Sequence, residues 1–339
     1  MGIVGGLDLH RRQITFDYLD TDTGEATRGV LRPVTRESFR EWLIKLPTAN
    51  AAFAVEATTG WRFVVEELRR ASMEPHLAEP ADTRALRGKK RRPKTDRVDA
   101  RHLRDLLLGG RLPESWIPTE FISDLRTTVR LRERLVDQRS GWIRRIRAQC
   151  FSHGLPDPPR PRSLEGQTWL AKAQLPPTAR RVVDVALEMI GVLDDHVDAL
   201  NAELISIGRR QKGCLALQSL WGVGPLMSAI LLAELGDVSR MSSSRKLVRF
   251  AGLDVTVSES DTKRSPGHLS RQGPPVLRRA LYEASAAAWR VASPDHEYYL
   301  ATKARLGTKR ARVSVGRRLL RRAYHLLANL GEAAIEPVV

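Results

Sequence analysis

The chain has 339 residues and carries 56 Lys and Arg against 39 Asp and Glu, a formal net charge of +17. That length suggests two or three domains with room for real cores, and the charge excess favours a polyanionic partner, most commonly nucleic acid. A basic ribosome-associated or membrane-surface protein is the bland alternative.

The two cysteines, Cys150 and Cys214, form no CxxC pair and exclude a disulfide framework, so both read as reduced structural residues of a cytosolic protein. The eight histidines are scattered without metal-ligand spacing. No apolar stretch approaches the roughly 18 residues of a membrane span, and the N-terminus lacks the basic flank of a signal peptide.

Residues 1–112 alternate strand and helix signals. Ile3 to Leu9 is an apolar, glycine-rich strand, and Gln13 to Leu19 alternates Ile14, Phe16 and Tyr18 in period two. Asp22-Thr23-Gly24 is a turn into a third strand, Ala26 to Leu31. Thr35 opens an amphipathic helix through Phe39, Trp42 and Leu43. Ala51 to Ala57 is a buried strand, Trp61 to Arg70 a helix, and His76 to Ala78 a short strand. Three antiparallel strands followed by helix-strand units describe an α/β, ribonuclease-H-like (RuvC-like) layer.

A basic loop follows, with Arg87, Lys89, Lys90, Arg91, Arg92 and Lys94 just ahead of an acidic pair. A solvated loop is the plain reading, and phosphate contact is the sharper one. Residues 113–212 read as two long helices around a proline-rich hinge at Pro156, Pro158, Pro159 and Pro161. Val183, Ala186, Ile190, Leu193, Val197, Leu200, Leu204 and Ile207 step by threes and fours as a heptad seam. Ile122, Leu125, Val129, Val136, Ile143 and Ile146 form a second seam, interrupted by Arg132 and Arg139. A helical hairpin packed on itself and a dimerising coiled coil both satisfy this pattern.

Residues 213–339 form a further, mainly helical unit. Leu220-Trp221-Gly222-Val223-Gly224-Pro225, leading into Met227 to Leu235, is similar to a helix-hairpin-helix, whose turn offers backbone N–H groups to phosphate. A polar, glycine-punctuated stretch from Ser258 to Gly273 precedes arginine-rich helices carrying Arg278, Arg279, Arg317, Arg318, Arg321 and Arg322.

Four carboxylates carry the chemistry. Asp8 stands in the first strand, Glu56 closes a later one, and Asp96 and Asp99 are one helical turn apart. Brought together they would repel strongly, and a divalent cation would relieve that repulsion. Oxygen donors suit Mg²⁺ or Mn²⁺, and two such ions about 3.5–4 Å apart can activate a phosphodiester. Each acid also has a plain reading: Asp96 as a helix N-cap, Asp99 as a surface partner of Lys94 or Arg101. Asp8 is harder to dismiss, because a charge in a central strand needs a partner. Ser260, flanked by Lys263, Arg264 and Arg271, is a possible nucleophile, but composition leaves Ser258, Ser265 and Ser270 equally open.

Gly-Leu-Asp-Leu-His, Val-Glu-Ala-Thr-Thr-Gly and Lys-Thr-Asp-Arg-Val-Asp-Ala together resemble the DEDD-type insertion-sequence transposases, the bridge-RNA-guided recombinases related to Piv-like DNA invertases. Phe250-Ala251-Gly252-Leu253, Ser260, Gly267, Leu269-Ser270-Arg271, Gly273, Leu277-Arg278 and the run from Tyr298 through Leu320 carry the resemblance to the end of the chain. It implies a RuvC-like domain with a Mg²⁺ or Mn²⁺ site at Asp8, Glu56, Asp96 and Asp99, a coiled-coil segment, and a transposase domain whose nucleophile falls at Ser260. It also implies target and donor DNA, a structured non-coding guide RNA, and a homo-oligomer, dimer or tetramer, acting without a membrane in a bacterial cytoplasm, nucleoid-associated during action. Val255, Asp261, Thr262 and Arg271 depart from the family pattern, and Ser258 is the reserve nucleophile. Arg87, Lys89, Lys90, Arg91, Arg92, Lys94, Lys263, Arg264, Arg271 and Arg278 are the expected nucleic-acid contacts. A protein-only invertase, a junction nuclease using water, and a non-catalytic nucleic-acid-binding protein are the alternatives.

Overall fold

The computed structural model describes residues 2–87, 95–256, 258–260, 263–265 and 267–338, with the two three-residue strands near Ser260 described as backbone only. Two compact units emerge, Met1–Ile117 and Pro118–Val339.

The first unit is a mixed α/β layer. Strands β1 (Ile3–Leu9), β2 (Ile14–Asp20) and β3 (Ala26–Leu31) are antiparallel neighbours, while β4 (Ala51–Glu56) and β5 (Glu74–Ala78) extend the sheet in parallel on the other side of β1. The order is β3-β2-β1-β4-β5, as three antiparallel strands followed by helix-strand units require. Helices α1 (Arg36–Ile44) and α2 (Trp61–Arg70) belong to a core with Ile3, Leu7, Ile14, Phe39, Phe53, Val64 and Leu68, all but closed to solvent. Thr35 starts α1 by accepting from the Ser38 N–H. Glu67 of α2 is buried and gathers Arg36, Arg40 and Arg70. A short helix, α3 (Pro80–Ala85), follows β5.

Helix α4 (Asp96–Leu108) packs on β1 and β2. One anchor is a buried ion pair between Arg104 of α4 and Asp17 of β2, with Asp105 holding the other side of the guanidinium at 2.6 Å. Removing one partner of such a pair leaves the other charge stranded. Asp17→Ala is expected to cost about 3 kcal/mol, read as a lower midpoint in denaturant unfolding.

The second unit is mostly helical. Its long helices α5 (Glu120–Ser152) and α7 (Pro177–Arg210) pack against each other within the chain, with α6 (Leu164–Lys172) inside the proline-rich connection. Ile146 and Cys150 meet Val183, Ala186 and Ile190 in a closed cluster that also takes Leu170. The arginines that break the first seam have partners here. Arg139 pairs with Asp194, and Arg132 reaches Asn201 Oδ1 at 3.0 Å and Glu133 beside it.

After α8 (Lys212–Leu217) comes α9 (Pro225–Leu235), buried from Ser228 to Leu235, so its sequence is apolar all round rather than striped. Its one buried acid, Glu234, is met by Arg130 of α5 at 2.9 Å. Helix α10 (Ser244–Phe250), the two-strand pair β6 (Ser258–Ser260) and β7 (Lys263–Ser265), and α11 (Pro275–Ala284), α12 (His296–Leu306) and α13 (Thr308–Leu330) complete the unit. Both cysteines are closed to solvent, and burial pushes their thiols upward, Cys214 to about 12. Among the described residues no helix is long and apolar enough to cross a membrane.

Candidate active site

Side chains alternate along β1. Ile3 and Leu7 face the α1–α2 core, while Gly6 and Asp8 face α4. The glycine is what lets the helix come close. A Cβ on Gly6 would lie 2.0 Å from the Ala100 carbonyl oxygen and 2.7 Å from the Arg104 nitrogen. With α4 seated on this flat spot, its first turn stands over the end of β1. Thr95, not Asp96, caps the helix by accepting from the Val98 N–H. The Asp96 carboxylate is therefore free to face the strand, beside a helix N-terminus that favours negative charge.

The acids meet there. His10 Nε2 lies 3.2 Å from Asp8 Oδ2 and 3.6 Å from Asp96 Oδ1, and one donor atom from each of the three residues falls within 4.8 Å of the others. Gln13 donates to Asp96 Oδ2 at 2.8 Å and is itself held by Arg32 through its amide oxygen. Burial pushes the Asp8 carboxyl up to about 6. His10 pulls against that rise, while Asp96 and Asp99 add to it.

The other two expected acids stand at the rim of this group rather than in it. Leu7 of β1 is paired with Val55 of β4 in the last rung of the parallel ladder, so the residues that follow, Asp8 and Glu56, stand at the C-terminal ends of neighbouring strands, Asp8 one residue short of the end of β1. Asp99, with its side chain 13% exposed, is turned to Arg87, whose Nη1 lies 2.7 Å from Asp99 Oδ1 without hydrogen-bond alignment. Arg101, one of the two partners the surface reading offered Asp99, is turned to Asp105 instead, at 3.6 Å. The other, Lys94, lies outside the described residues.

These residues fit a small divalent cation. The donors are chiefly carboxylate oxygens. A buried Asp99 oxygen makes no hydrogen bond, and Asp8 is held uncharged by burial up to nearly neutral pH.

Sequence reasoning passed over His10, Gln13, Arg11, Arg12 and Arg32. Together with Asp96 they line an open cleft of 640 Å³ beside the acids. The run His10-Arg11-Arg12 lies two residues beyond Asp8, which was the available signal.

Of the expected nucleic-acid contacts, Lys89, Lys90, Arg91, Arg92 and Lys94 lie outside the described residues, as do the side chains of Lys263 and Arg264. Arg271 is exposed and left-handed at φ 54°. The half-buried Arg278 donates through its guanidinium to the carbonyls of Gly273 and Ala251. Several arginines of α5 and α13 already have partners within the chain: Arg130 and Arg139 are ion-paired, Arg317 donates to the Leu253 carbonyl at 2.6 Å, and Arg322 pairs with buried Asp295. Arg321 remains on a basic cleft of 480 Å³ with Arg245, Lys246 and Arg249.

Ser260 ends β6 opposite Lys263 of β7. The segment bearing it is pinned at its base, where the Thr256 N–H donates to the His268 carbonyl at 2.8 Å, the His268 N–H donates to Thr256 Oγ1 at 3.2 Å, and a Cβ on Gly267 would lie 1.9 Å from the Thr256 carbonyl oxygen. Ser270 donates to Asp254, so that hydroxyl is already committed.

Asp8 and Glu56 near the C-terminal ends of neighbouring parallel strands, with Asp96 and Asp99 on the first turn of α4, form an acidic site suited to metal-dependent chemistry in a strongly basic chain. Residues 5–150 match a transposase family of the DEDD, IS110 type, and residues 214–300 match the transposase IS116/IS110/IS902 family. The chain belongs to the IS110/IS116/IS902 family of transposases.

It is 26% identical over 171 residues to the transposase for insertion sequence element IS1111A of Coxiella burnetii, covering 49% of this chain and 47% of that one. It is also 26% identical over 160 residues to an insertion element IS110 uncharacterized 43.6 kDa protein of Streptomyces coelicolor, covering 40% of each. The chain thus spans about half the length of the curated relatives it matches.

Proposed function

We propose that this protein is an RNA-guided DNA recombinase of an insertion sequence, working through a RuvC-like acid site and a phosphoserine link. The observation that carries the reading is the meeting of Asp8 and Asp96 across 88 positions of sequence, with Asp99 and Glu56 beside them. Mg²⁺ or Mn²⁺ held by Asp8, Glu56, Asp96 and Asp99 would supply charge neutralisation at the scissile phosphate.

The chain's own groups do the rest. Gln13, braced by Arg32, holds the Asp96 carboxylate in place. Arg11, Arg12 and Arg32 offer the phosphate backbone a cationic wall next to the acids, and Arg245, Lys246, Arg249 and Arg321 offer a second one. The Ser260 oxygen attacks phosphorus. A phosphoserine ester forms as one P–O bond of the DNA strand breaks, and the released sugar oxygen takes up the proton. The ester conserves bond energy for rejoining to a new strand.

Sequence would be read by base pairing with a structured guide RNA to target and donor DNA, leaving shape and charge to the protein. Arg87, Lys89, Lys90, Arg91, Arg92, Lys94, Lys263, Arg264, Arg271 and Arg278 would lie along the nucleic acid. The active form would be a homo-oligomer, dimer or tetramer, with the long helices as a coiled-coil segment and residues 213–339 as the transposase domain.

A denaturing gel tests this directly, with guide RNA, DNA and Mg²⁺ or Mn²⁺. Wild type is expected to give a covalent protein–DNA adduct that Ser260→Ala and Asp96→Ala both abolish. An adduct that survives Ser260→Ala moves the nucleophile to Ser258 or another hydroxyl. Cleavage with no adduct sinks the serine mechanism in favour of a water-using nuclease.

A further inference from the structure

We propose that His10 is a nitrogen ligand at the acid site, and that this site therefore prefers Mn²⁺ to Mg²⁺. The inference rests on reading the acid cluster as a metal site and adds a donor that the four carboxylates do not provide.

The geometry points to it. Neighbouring ligands of an octahedral ion with bonds of about 2.1 Å stand about 3.0 Å apart. His10 Nε2 is 3.2 Å from Asp8 Oδ2 and 3.6 Å from Asp96 Oδ1, both near that spacing, and one donor atom from each of the three residues lies within 4.8 Å of the others. The short turn between β1 and β2 sets this up. Asp8 points to the α4 face, and two residues on, at the end of the strand, His10 returns to the same side.

A second observation is independent of these three residues. Thr15 lies directly across from Asp8 in the antiparallel ladder and so faces the same side of the sheet. It is 2% exposed, and its hydroxyl oxygen has no hydrogen-bond partner. A buried hydroxyl without a partner is uncommon and calls for one. A water in the shell of a bound cation would serve it.

Mg²⁺ takes oxygen ligands and holds its waters tightly, whereas an imidazole suits the transition metals. Mn²⁺ accepts both donor types, so one histidine among carboxylates shifts the balance toward it. Arg11 and Arg12 follow His10 directly and keep the mouth of the cleft positive, which suits an anionic substrate more than a further cation.

Metal binding to the full chain without nucleic acid tests this. Mn²⁺ and Mg²⁺ affinities would be measured calorimetrically for wild type, His10→Asn and Asp8→Asn, and Mn²⁺-loaded samples examined by pulsed EPR for coupling to imidazole nitrogen. Wild type is expected to bind Mn²⁺ more tightly and to show the nitrogen coupling. His10→Asn should lose the coupling and about tenfold in Mn²⁺ affinity while keeping its Mg²⁺ affinity, and Asp8→Asn should bind neither ion.

Mn²⁺ bound without nitrogen coupling, and released by Asp8→Asn alone, would overturn the role of His10 and leave the acid site standing. Wild type that binds neither ion would overturn both. Equal loss of Mn²⁺ and Mg²⁺ in His10→Asn would reduce His10 to a residue that orients Asp8.

Discussion

Asp8→Asn is expected to make the protein harder to unfold near neutral pH while lowering its action on DNA about 10³-fold or more. The two effects share one cause. Burial lifts the Asp8 carboxyl from 3.8 to about 6, so the folded state binds the Asp8 proton more readily than the unfolded chain does. Its contribution to stability is therefore complete below pH 3.8 and is lost as pH rises through about 6. Above that point the ionised carboxylate costs the fold about 2 kcal/mol, allowing for solvent screening at a partly exposed site. Asparagine keeps the shape without the charge. The gain should be seen in denaturant unfolding above pH 6 and should vanish below about pH 4. Adding Mn²⁺ should then raise the stability of wild type but not of the variant. A variant equally stable or less stable at neutral pH would show that Asp8 is not held at this cost.

Gly6→Ala is expected to act at a distance on the same site. The new methyl would meet the Ala100 carbonyl at 2.0 Å, and backbone at that range cannot yield without moving α4. Overpacking of this kind costs about 3 kcal/mol. Because Asp96 and Asp99 ride on the first turn of α4, the displacement also parts them from Asp8. The expected result is a folded protein with a lower unfolding midpoint and weakened divalent-metal binding, although no metal-binding side chain has changed. Full metal affinity in a destabilised Gly6→Ala protein would show that the acids do not depend on the seating of the helix.

Much of the α/β layer was legible because its signals are local. Alternation marked β2, the glycine-rich apolar run marked β1 at Ile3–Leu9, and the helix α2 runs over Trp61–Arg70 as its spacing predicts. The six most buried seam residues of α7, Val183 to Leu204, are those stepping by threes and fours. What escaped depends on partners far along the chain. His10 looked isolated because Asp96 is 86 positions away. Arg139 of α5 read only as an interruption of its seam, yet it and Arg130 are matched by Asp194 and Glu234, acids that composition alone cannot assign to them. The partners of Arg278 within the chain were hidden for a similar reason, because they are carbonyls, which leave no mark in sequence. The clustering of Asp8 and Asp96 was inferred from motif order, but its physical agent, the missing side chain of Gly6, became visible only with α4 in place.

The two buried thiols make the wild-type chain its own background for labelling. Cys150 and Cys214 are closed to solvent, and burial holds both in the protonated form, so alkylating reagents should leave the folded protein untouched. A cysteine placed at exposed Thr23 in the first unit and another at exposed Glu203 in the second could be derivatised without first removing the native pair. Spectroscopic rulers between those two positions could then report the separation of the two units in the otherwise unaltered protein.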